Sequence, residues 1–328
     1  MDIFKDKVIL LTGGTGSFGQ KFTEFVLKEH EPRAIRVFSR GEKKQYDMSM
    51  NFQKMDKNDV LRFFIGDVRD KERLHRAMTG VDIVVHAAAL KQVPSCEYNP
   101  IEAVRTNIDG AINLIDAAID NGVDKVMVIS TDKAVHPVNL YGATKMTAEK
   151  LFVQGNSYAG KIQTKFSCVR YGNVIGSRGS VVPLFLEQKK KGVLTITDEN
   201  MTRFWIKIDD GIRFVIDCIE KMQGGEIFVP KIPSMNIIDL AEAIAPKAKK
   251  NIIGTRPGEK IHEIMITEDE AKHTLEFDNF FVIEPEHPFW RERHIKGGKK
   301  LPENFRYSSD TNDIWLTKKE LVKIVKEA

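Results

Sequence analysis

Cysteine is scarce in this chain. Cys96, Cys168 and Cys218 are the only three, odd in number and far apart. That excludes a disulfide framework or a paired-cysteine zinc site, and it makes a reducing cytoplasm the expected setting. His86, His136 and His262 show no ligand spacing, so no metal is expected. Long apolar runs are missing too. The stretch at residues 8–11 breaks off into glycines, and the next, 81–90, contains Asp82 and His86. A membrane span needs about 20 apolar residues, so neither a spanning helix nor a cleavable leader is expected. An excess of one charge is also lacking: 50 Lys and Arg stand against 46 Asp and Glu, a net +4. That is too small to argue for nucleic acid, although it suits a small anionic substrate. Repeats are absent, and the one biased patch, HIKGGKK near residue 297, reads as a solvated loop.

What is present is enough apolar material for a sizeable core. Hydrophobic residues make up 42% and charged residues 29% of 328 positions, which suggests about two domains. Short β-branched runs at 7–12, 34–38, 61–65, 81–86, 125–129 and 165–170 are continuously apolar, as in strands buried on both faces. Amphipathic segments at 17–28, 71–78, 100–121 and 141–157 fall between them. The alternation predicts an α/β fold, a Rossmann-like doubly wound parallel sheet with right-handed crossovers. After Arg170 the rhythm breaks into glycine- and proline-rich turns with short helices at 209–221 and 238–245. This predicts a smaller C-terminal substrate-binding domain, residues 172–328, interleaved with the last strands of a domain spanning 1–171.

The first strand runs into Thr12-Gly13-Gly14-Thr15-Gly16-Ser17-Phe18-Gly19. Gly13 permits a tight turn, Gly16 lets the backbone approach a pyrophosphate, and Gly19 lets the helix pack closely. The helix N-terminus, opening at Ser17 and Phe18, then offers its unpaired N–H groups to phosphates. The second strand ends at Ser39 and Arg40, where an NAD-selecting chain usually carries an acid. Arg40, with Lys43 nearby, suits the 2′-phosphate of NADP; the alternative is a solvated charged loop. Asp67 and Val68 follow the third strand, at the adenine. Ala87 and Ala88 follow the fourth and are small enough to let the cofactor pass.

The fifth strand ends in Ser130-Thr131-Asp132-Lys133, and Tyr141 and Lys145 come shortly after. Tyr and Lys at i and i+4 share a helix face. A neighbouring ammonium and an oxidised nicotinamide would lower the tyrosine pKa from about 10 toward neutrality. The phenolate could then take a hydroxyl proton while hydride leaves the same carbon. Asp132 and Lys133, if not a plain surface turn, add a second acid–base pair.

Further candidates come from the rest of the chain. Lys91 fits a sugar or cofactor oxygen, or is simply solvated. Asn107 fits the backbone near the site, and Asn173 a diphosphate. Arg178-Gly179-Ser180-Val181 opens a helix and so offers an anion site. Arg203 and Arg256 supply guanidinium forks for diphosphate, and Glu259 either pairs with Arg256 or reaches a ribose; ordinary salt bridging accounts for each equally well.

TGGTGSFG, FIGDVRDKERL, HAAALKQVP, STDKAV, NLYGATK, RYGNVIGSRGSVVP, MTRFW, GGEIFVPKIPSM and RPGEKIHEIM together resemble the inverting UDP-N-acetylglucosamine 4,6-dehydratases. These belong to the extended short-chain dehydrogenase/reductase superfamily, and the resemblance covers nearly the whole chain. Gly41 departs from it, since relatives often carry an acid after the arginine. The resemblance implies bound NADP, UDP-N-acetylglucosamine as substrate, and the first step of pseudaminic acid synthesis for flagellin or surface glycans. It also implies a dimer-based homo-oligomer, extending to a hexamer, through helices 100–121 and 141–157. Retaining sugar 4,6-dehydratases are known for Asp-Glu where this chain has Asp132-Lys133, and 4-epimerases need neither group. On this reading Lys133, partly neutral, is the base at carbon 5 and Asp132 the acid at carbon 6. A UDP-sugar 4-epimerase and a nonenzymatic NADP-sensing protein are the competing readings; the second predicts a degraded Tyr–Lys pair, yet Tyr141 and Lys145 are intact.

Overall fold

The computed structural model describes residues 2–175, 181–286 and 295–327. Val8–Thr12 (β1) is apolar up to its last residue and buried throughout, as a strand covered on both faces must be. The alternation continues through α1 (Ser17–Glu29), β2 (Ala34–Ser39), α2 (Glu42–Phe52), β3 (Leu61–Ile65), α3 (Lys71–Met78) and β4 (Ile83–His86). Then come α4 (Val93–Tyr98), α5 (Pro100–Val104), α6 (Gly110–Asp120), β5 (Lys125–Ile129), α7 (Leu140–Gly155) and β6 (Lys165–Val169). These six strands are parallel, in the order β3-β2-β1-β4-β5-β6. The order reverses beside β1, and that opens a crevice at the carboxyl ends of β1 and β4.

Beyond β6 lie β7 (Asn173–Val174), α8 (Val181–Lys189), β8 (Val193–Ile196), β9 (Thr202–Ile206), α9 (Ile208–Lys221) and β10 (Ile227–Pro230). After them come β11 (Ser234–Asn236), α10 (Ile237–Ile244), β12 (Lys249–Ile252), β13 (Ile264–Ile266) and α11 (Glu268–Ala271). The chain closes with β14 (Thr274–Glu276), β15 (Phe280–Ile283), β16 (Lys299–Lys300), β17 (Tyr307–Ser308) and α12 (Lys318–Glu327). β10 joins the main sheet parallel to β6; β15, β14 and β16 extend it antiparallel, to ten strands among the described residues. A second core of Val182, Phe185, Leu194, Trp205, Leu240 and Leu321 packs α8, β8, α10 and α12 into the cap over the crevice. No helix among the described residues is long and apolar enough to cross a membrane.

Two elements differ from the sequence expectation. The sequence pattern does not reveal α2, because it is mostly polar and buries only Gln45, Met48 and Phe52. The single helix expected over 100–121 is interrupted by a π-turn, Arg105–Asp109, between α5 and α6. Such turns re-aim side chains at functional sites. Here Asn107 is buried, accepts from Leu90 N–H at 2.8 Å, and donates to Leu90 C=O at 2.9 Å and to Thr144 Oγ1 at 2.9 Å. It clamps the loop after β4 onto α7 and lies outside the crevice lining, so it is a backbone clamp and not a substrate contact.

Candidate active site

A cavity of about 1300 Å³ fills the crevice between sheet and cap. At its cofactor end lie Gly13, Thr15, Gly16, Ser17 and Phe18, at the mouth of α1. Gly13 has φ +67°, which suits glycine, and a Cβ there would stand 2.9 Å from the Ala87 backbone. The α1 N-terminus carries no side-chain cap, so its free N–H groups face the cavity. Gly19 is off the cavity, packed against the Gly14 backbone.

Ser39, Arg40, Asp67, Val68, Ala87, Ala88 and Lys91 line the same end. Gln45 on α2 donates to the Ser39 carbonyl and hydroxyl at 3.1 and 3.0 Å and fixes the end of β2. Arg40 Nη1 stands 3.8 Å from Asp67 Oδ2. Burial works to raise the Asp67 pKa, but the Arg69 fork and the Arg40 charge outweigh it and hold the carboxylate below its usual range. Lys43 points away and pairs with Asp47 at 3.2 Å; Lys44 is the lysine that lines the cavity. The sequence did not reveal this, because which of two adjacent lysines faces inward depends on the phase of the unrecognised α2.

The turn Asp132–Ala134 leaves the end of β5 as one turn of 3₁₀-helix. α7 begins at the Asn139 cap, whose side chain accepts from Gly142 N–H at 2.8 Å. A Cβ on Gly142 would lie 2.3 Å from the Lys133 carbonyl oxygen, so glycine lets the helix sit directly on the turn. Thr131, Lys133, Tyr141 and Lys145 line the cavity. Asp132 is fully buried behind them, and it reaches the cavity through its bonds to Thr131 Oγ1 at 2.9 Å and Lys133 Nζ at 3.0 Å.

The electrostatics differ from expectation in two respects. Tyr141 is pushed up to about 12, because burial outweighs the Lys133 charge and the Thr131 hydrogen bond. Lys145 does not offset this: its ammonium donates to the Ile129 carbonyl at 2.8 Å, and burial lowers its own pKa. Nor is Lys133 a partly neutral amine. Burial favours that form, but the Asp132 and Glu263 carboxylates, 3.0 and 3.2 Å away, hold it as ammonium above the usual lysine range. Burial raises Asp132, the Lys133 charge opposing it only in part.

At the substrate end Asn173, Val181, Arg203, Arg256 and Glu259 line the cavity. Arg178, Gly179 and Ser180 lie outside the described residues. Asn173 Oδ1 accepts from Lys133 Nζ at 3.3 Å. Arg203 is largely spent on its own chain, donating to the carbonyls of Thr202, Ile261 and Lys260 at 2.7–2.9 Å. It fastens the segment around Lys260, which leaves Arg256, half-exposed and 3.8 Å from Glu259, as the freer cation. Among the described residues no group of His, Cys, Asp or Glu is arranged to hold a metal ion. The cysteines are free and buried. Sequence reasoning also missed Glu263 and Lys260, which come from the cap; RPGEKIHEIM drew attention only to Arg256 and Glu259.

Residues 9–285 match the polysaccharide biosynthesis protein family. The chain is 52% identical to the UDP-N-acetylglucosamine 4,6-dehydratase (inverting) of Campylobacter jejuni, over 98% of each protein. It is also 47% identical to a UDP-glucose 4-epimerase of Rickettsia akari, over 86% of this chain and 84% of that one. Among solved structures, Pen from Bacillus thuringiensis superimposes with a TM-score of 0.89 at 39% identity, covering 99% of both chains. The chain therefore belongs to the polysaccharide biosynthesis protein family and, within it, to the inverting UDP-N-acetylglucosamine 4,6-dehydratase family of the extended short-chain dehydrogenase/reductase enzymes.

Proposed function

We propose that this protein dehydrates UDP-N-acetylglucosamine across carbons 4 to 6 and inverts carbon 5, giving a UDP-2-acetamido-2,6-dideoxy-L-arabino-hexos-4-ulose. The observation that carries the reading is the Asp132–Lys133 pair, 3.0 Å apart, beside Tyr141 and Lys145 in one cavity. A 4-epimerase has no use for a second acid–base pair. The core-and-cap division near residue 171 belongs to the same reading: the core holds the cofactor and the cap holds the sugar nucleotide.

The chain's own residues fit a dinucleotide. The uncapped α1 N-terminus suits a pyrophosphate, Ala87 and Ala88 leave room, and Arg40 and Lys44 suit a 2′-phosphate. Bound NADP would supply a hydride acceptor at carbon 4 and a hydride donor at carbon 6, which would keep the cycle redox-neutral, and a positive nicotinamide would favour ionised Tyr141. Tyr141 takes the proton of the carbon 4 hydroxyl. The resulting ketone acidifies the carbon 5 proton. Lys133 must then shed a proton to act as base, and Asp132 is the acceptor, its proton affinity raised by burial. That transfer produces an amine and a carboxylic acid together, with no change in net charge. Lys133 removes the carbon 5 proton. The Asp132 proton reaches the departing carbon 6 hydroxyl through the Thr131 hydroxyl, which faces the cavity and bonds Asp132. As hydride reaches carbon 6, a solvent-exchanged proton returns to carbon 5 on the opposite face, which inverts that centre and balances the proton taken by Tyr141. Lys91, Asn173, Arg256 and Glu259 are the described contacts proposed for the sugar nucleotide, with Val181 at the first turn of α8.

Purified protein given UDP-N-acetylglucosamine without added reductant should release a product lighter by one water, with solvent deuterium at carbon 5. An isomer of unchanged mass would establish epimerisation instead, which is the activity named for the Rickettsia relative. No turnover at all would sink both. For the cofactor, Arg40→Ala should weaken NADP at least tenfold while leaving NAD nearly unchanged, since only NADP places a phosphate there. Equal loss for both cofactors by calorimetry would exclude the 2′-phosphate role. The product would supply pseudaminic acid synthesis for flagellin or surface glycans in the cytoplasm. A dimer-based homo-oligomer, hexameric by light scattering, is part of the proposal; exposed Ile101, Ile112 and Met146 on α5, α6 and α7 support it.

A further inference from the structure

Glu263 stands where the cap meets the catalytic turn. It precedes β13, is 2% exposed, and lines the cavity. Its backbone is held on both sides: its N–H donates to Ser309 Oγ at 2.9 Å, and its carbonyl accepts from Ser309 N–H at 2.8 Å. Oε1 lies 3.2 Å from Lys133 Nζ and 3.9 Å from Arg203 Nε, and Oε2 lies 3.4 Å from Lys260 Nζ. Oε2 nevertheless has no hydrogen-bond partner although it is buried. A buried carboxylate with an unfilled acceptor is costly to keep and calls for a reason.

We propose that Glu263 is a positioning residue for Lys133: the cap brings its carboxylate down onto the ammonium and completes a proton-holding unit of Asp132, Lys133 and Glu263. This rests on the reading of Lys133 as the carbon 5 base. Lys133 Nζ is suspended between Asp132 Oδ1, Glu263 Oε1 and Asn173 Oδ1 at 3.0, 3.2 and 3.3 Å. Three acceptors from the β5 turn, the cap and β7 fix one small cation at one point in the cavity wall. Asp132 alone would leave Lys133 free to swing about its own stem.

Other charges also bear on Lys133. Arg203 on β9 opposes the ammonium, as does Lys91 from the loop after β4; Tyr141 on α7 is drawn down by it. Glu263 offsets these two cations, and Arg203 and Lys260 keep it ionised against burial. The Asp132–Lys133 pair therefore retains its shared proton until the ketone has formed. It also follows that the catalytic turn is complete only with the cap in place, since no core residue supplies this carboxylate.

Glu263→Gln keeps the shape and removes the charge. Competitive acetylation with mass-spectrometric readout, taken across pH, reports the protonation of Lys133 directly. In the wild type, Lys133 should resist acetylation beyond the midpoint of an ordinary lysine, about 10.4. In Glu263→Gln the midpoint should fall by about one to three pH units, the range for losing an adjacent opposite charge. Glu263→Asp should restore it in part. Mere loosening of the fold would raise the labelling rate at every pH without moving the midpoint. The kcat of Glu263→Gln should fall on the order of 10²-fold, as for a misplaced catalytic group, with KM for UDP-N-acetylglucosamine and NADP affinity nearly unchanged. An unmoved midpoint, or wild-type kcat, would overturn the inference. Failure of the wild-type enzyme to dehydrate would overturn the functional reading instead, and the acetylation midpoint would still stand or fall by itself.

Discussion

Lys133→Ala should abolish dehydration of UDP-N-acetylglucosamine while NADP stays bound. A general acid–base group is worth about 10²–10⁴-fold, and here one side chain supports two proton movements. Lys133 Nζ is the atom of the pair that faces the cavity; Asp132 lies behind it, fully buried, with Oδ2 unpartnered. On the proposed reading, without Lys133 the carbon 5 proton would have no acceptor and Asp132 no proton donor. On the same reading NADP would be held by α1, the end of β2 and the loop after β4, away from the Lys133 side chain. Lys133→Arg sharpens the test, because it preserves the cation but cannot become neutral. Both variants should give no dehydrated product by mass spectrometry and bind NADP as the wild type does. Full activity in Lys133→Arg would mean that the lysine serves as a fixed charge and that the base lies elsewhere.

Arg170→Met should cost about 3–5 kcal/mol of stability, the penalty for leaving a buried charge without its partner. Arg170 is among the largest fully buried side chains. Its guanidinium bonds Glu149 on α7, Glu270 on α11 and the Met265 carbonyl on β13, at 3.2 Å to Glu149 Oε2, 3.0 Å to Glu270 Oε1 and 2.6 Å to Met265. Glu149 in turn accepts from Ser130 Oγ at 2.7 Å, next to the catalytic turn. One cation thus joins sheet, α7 and cap, and its loss strands two carboxylates. Denaturant unfolding measures the cost; adding Glu149→Gln and Glu270→Gln should recover part of it. An Arg170→Met variant as stable as the wild type would refute the account.

The same pairing predicts a pH effect. Although burial works to raise it, Arg170 draws Glu270 down to about 2, from its ordinary 4.5. A depressed carboxylate contributes stability above its unfolded pKa and loses it as pH falls through its folded one. The wild type should therefore weaken from about pH 4.5 toward 2, a loss that the Arg170→Met variant should not share.

Much of the site could be read from the chain because its signals are local. A glycine turn needs consecutive residues, and Tyr141 and Lys145 share a face through helical spacing alone. Continuously apolar β1 announces a doubly covered strand. α2 escaped because its residues are mostly polar, and with it went the choice of Lys44 over Lys43. The π-turn escaped because no spacing rule marks it; Asn107 fitted the backbone near the site, but its partners, Leu90 and Thr144, appear only in the fold. Arg203 looked like a diphosphate fork, but carbonyls of its own cap occupy most of its donors.

The sequence by itself determined the sheet, the glycine turn after β1 and the side chains proposed to react, since each depends on neighbours a few positions away. Tertiary structure alone decided their protonation. Burial depth and the charges facing a group come from segments remote in the chain. Tyr141 stays a phenol because it is buried. Lys133 stays an ammonium because Asp132 and, from the cap, Glu263 stand 3.0 and 3.2 Å from it. Coulomb energy depends on distance in space and on the local dielectric, and neither is written in residue order.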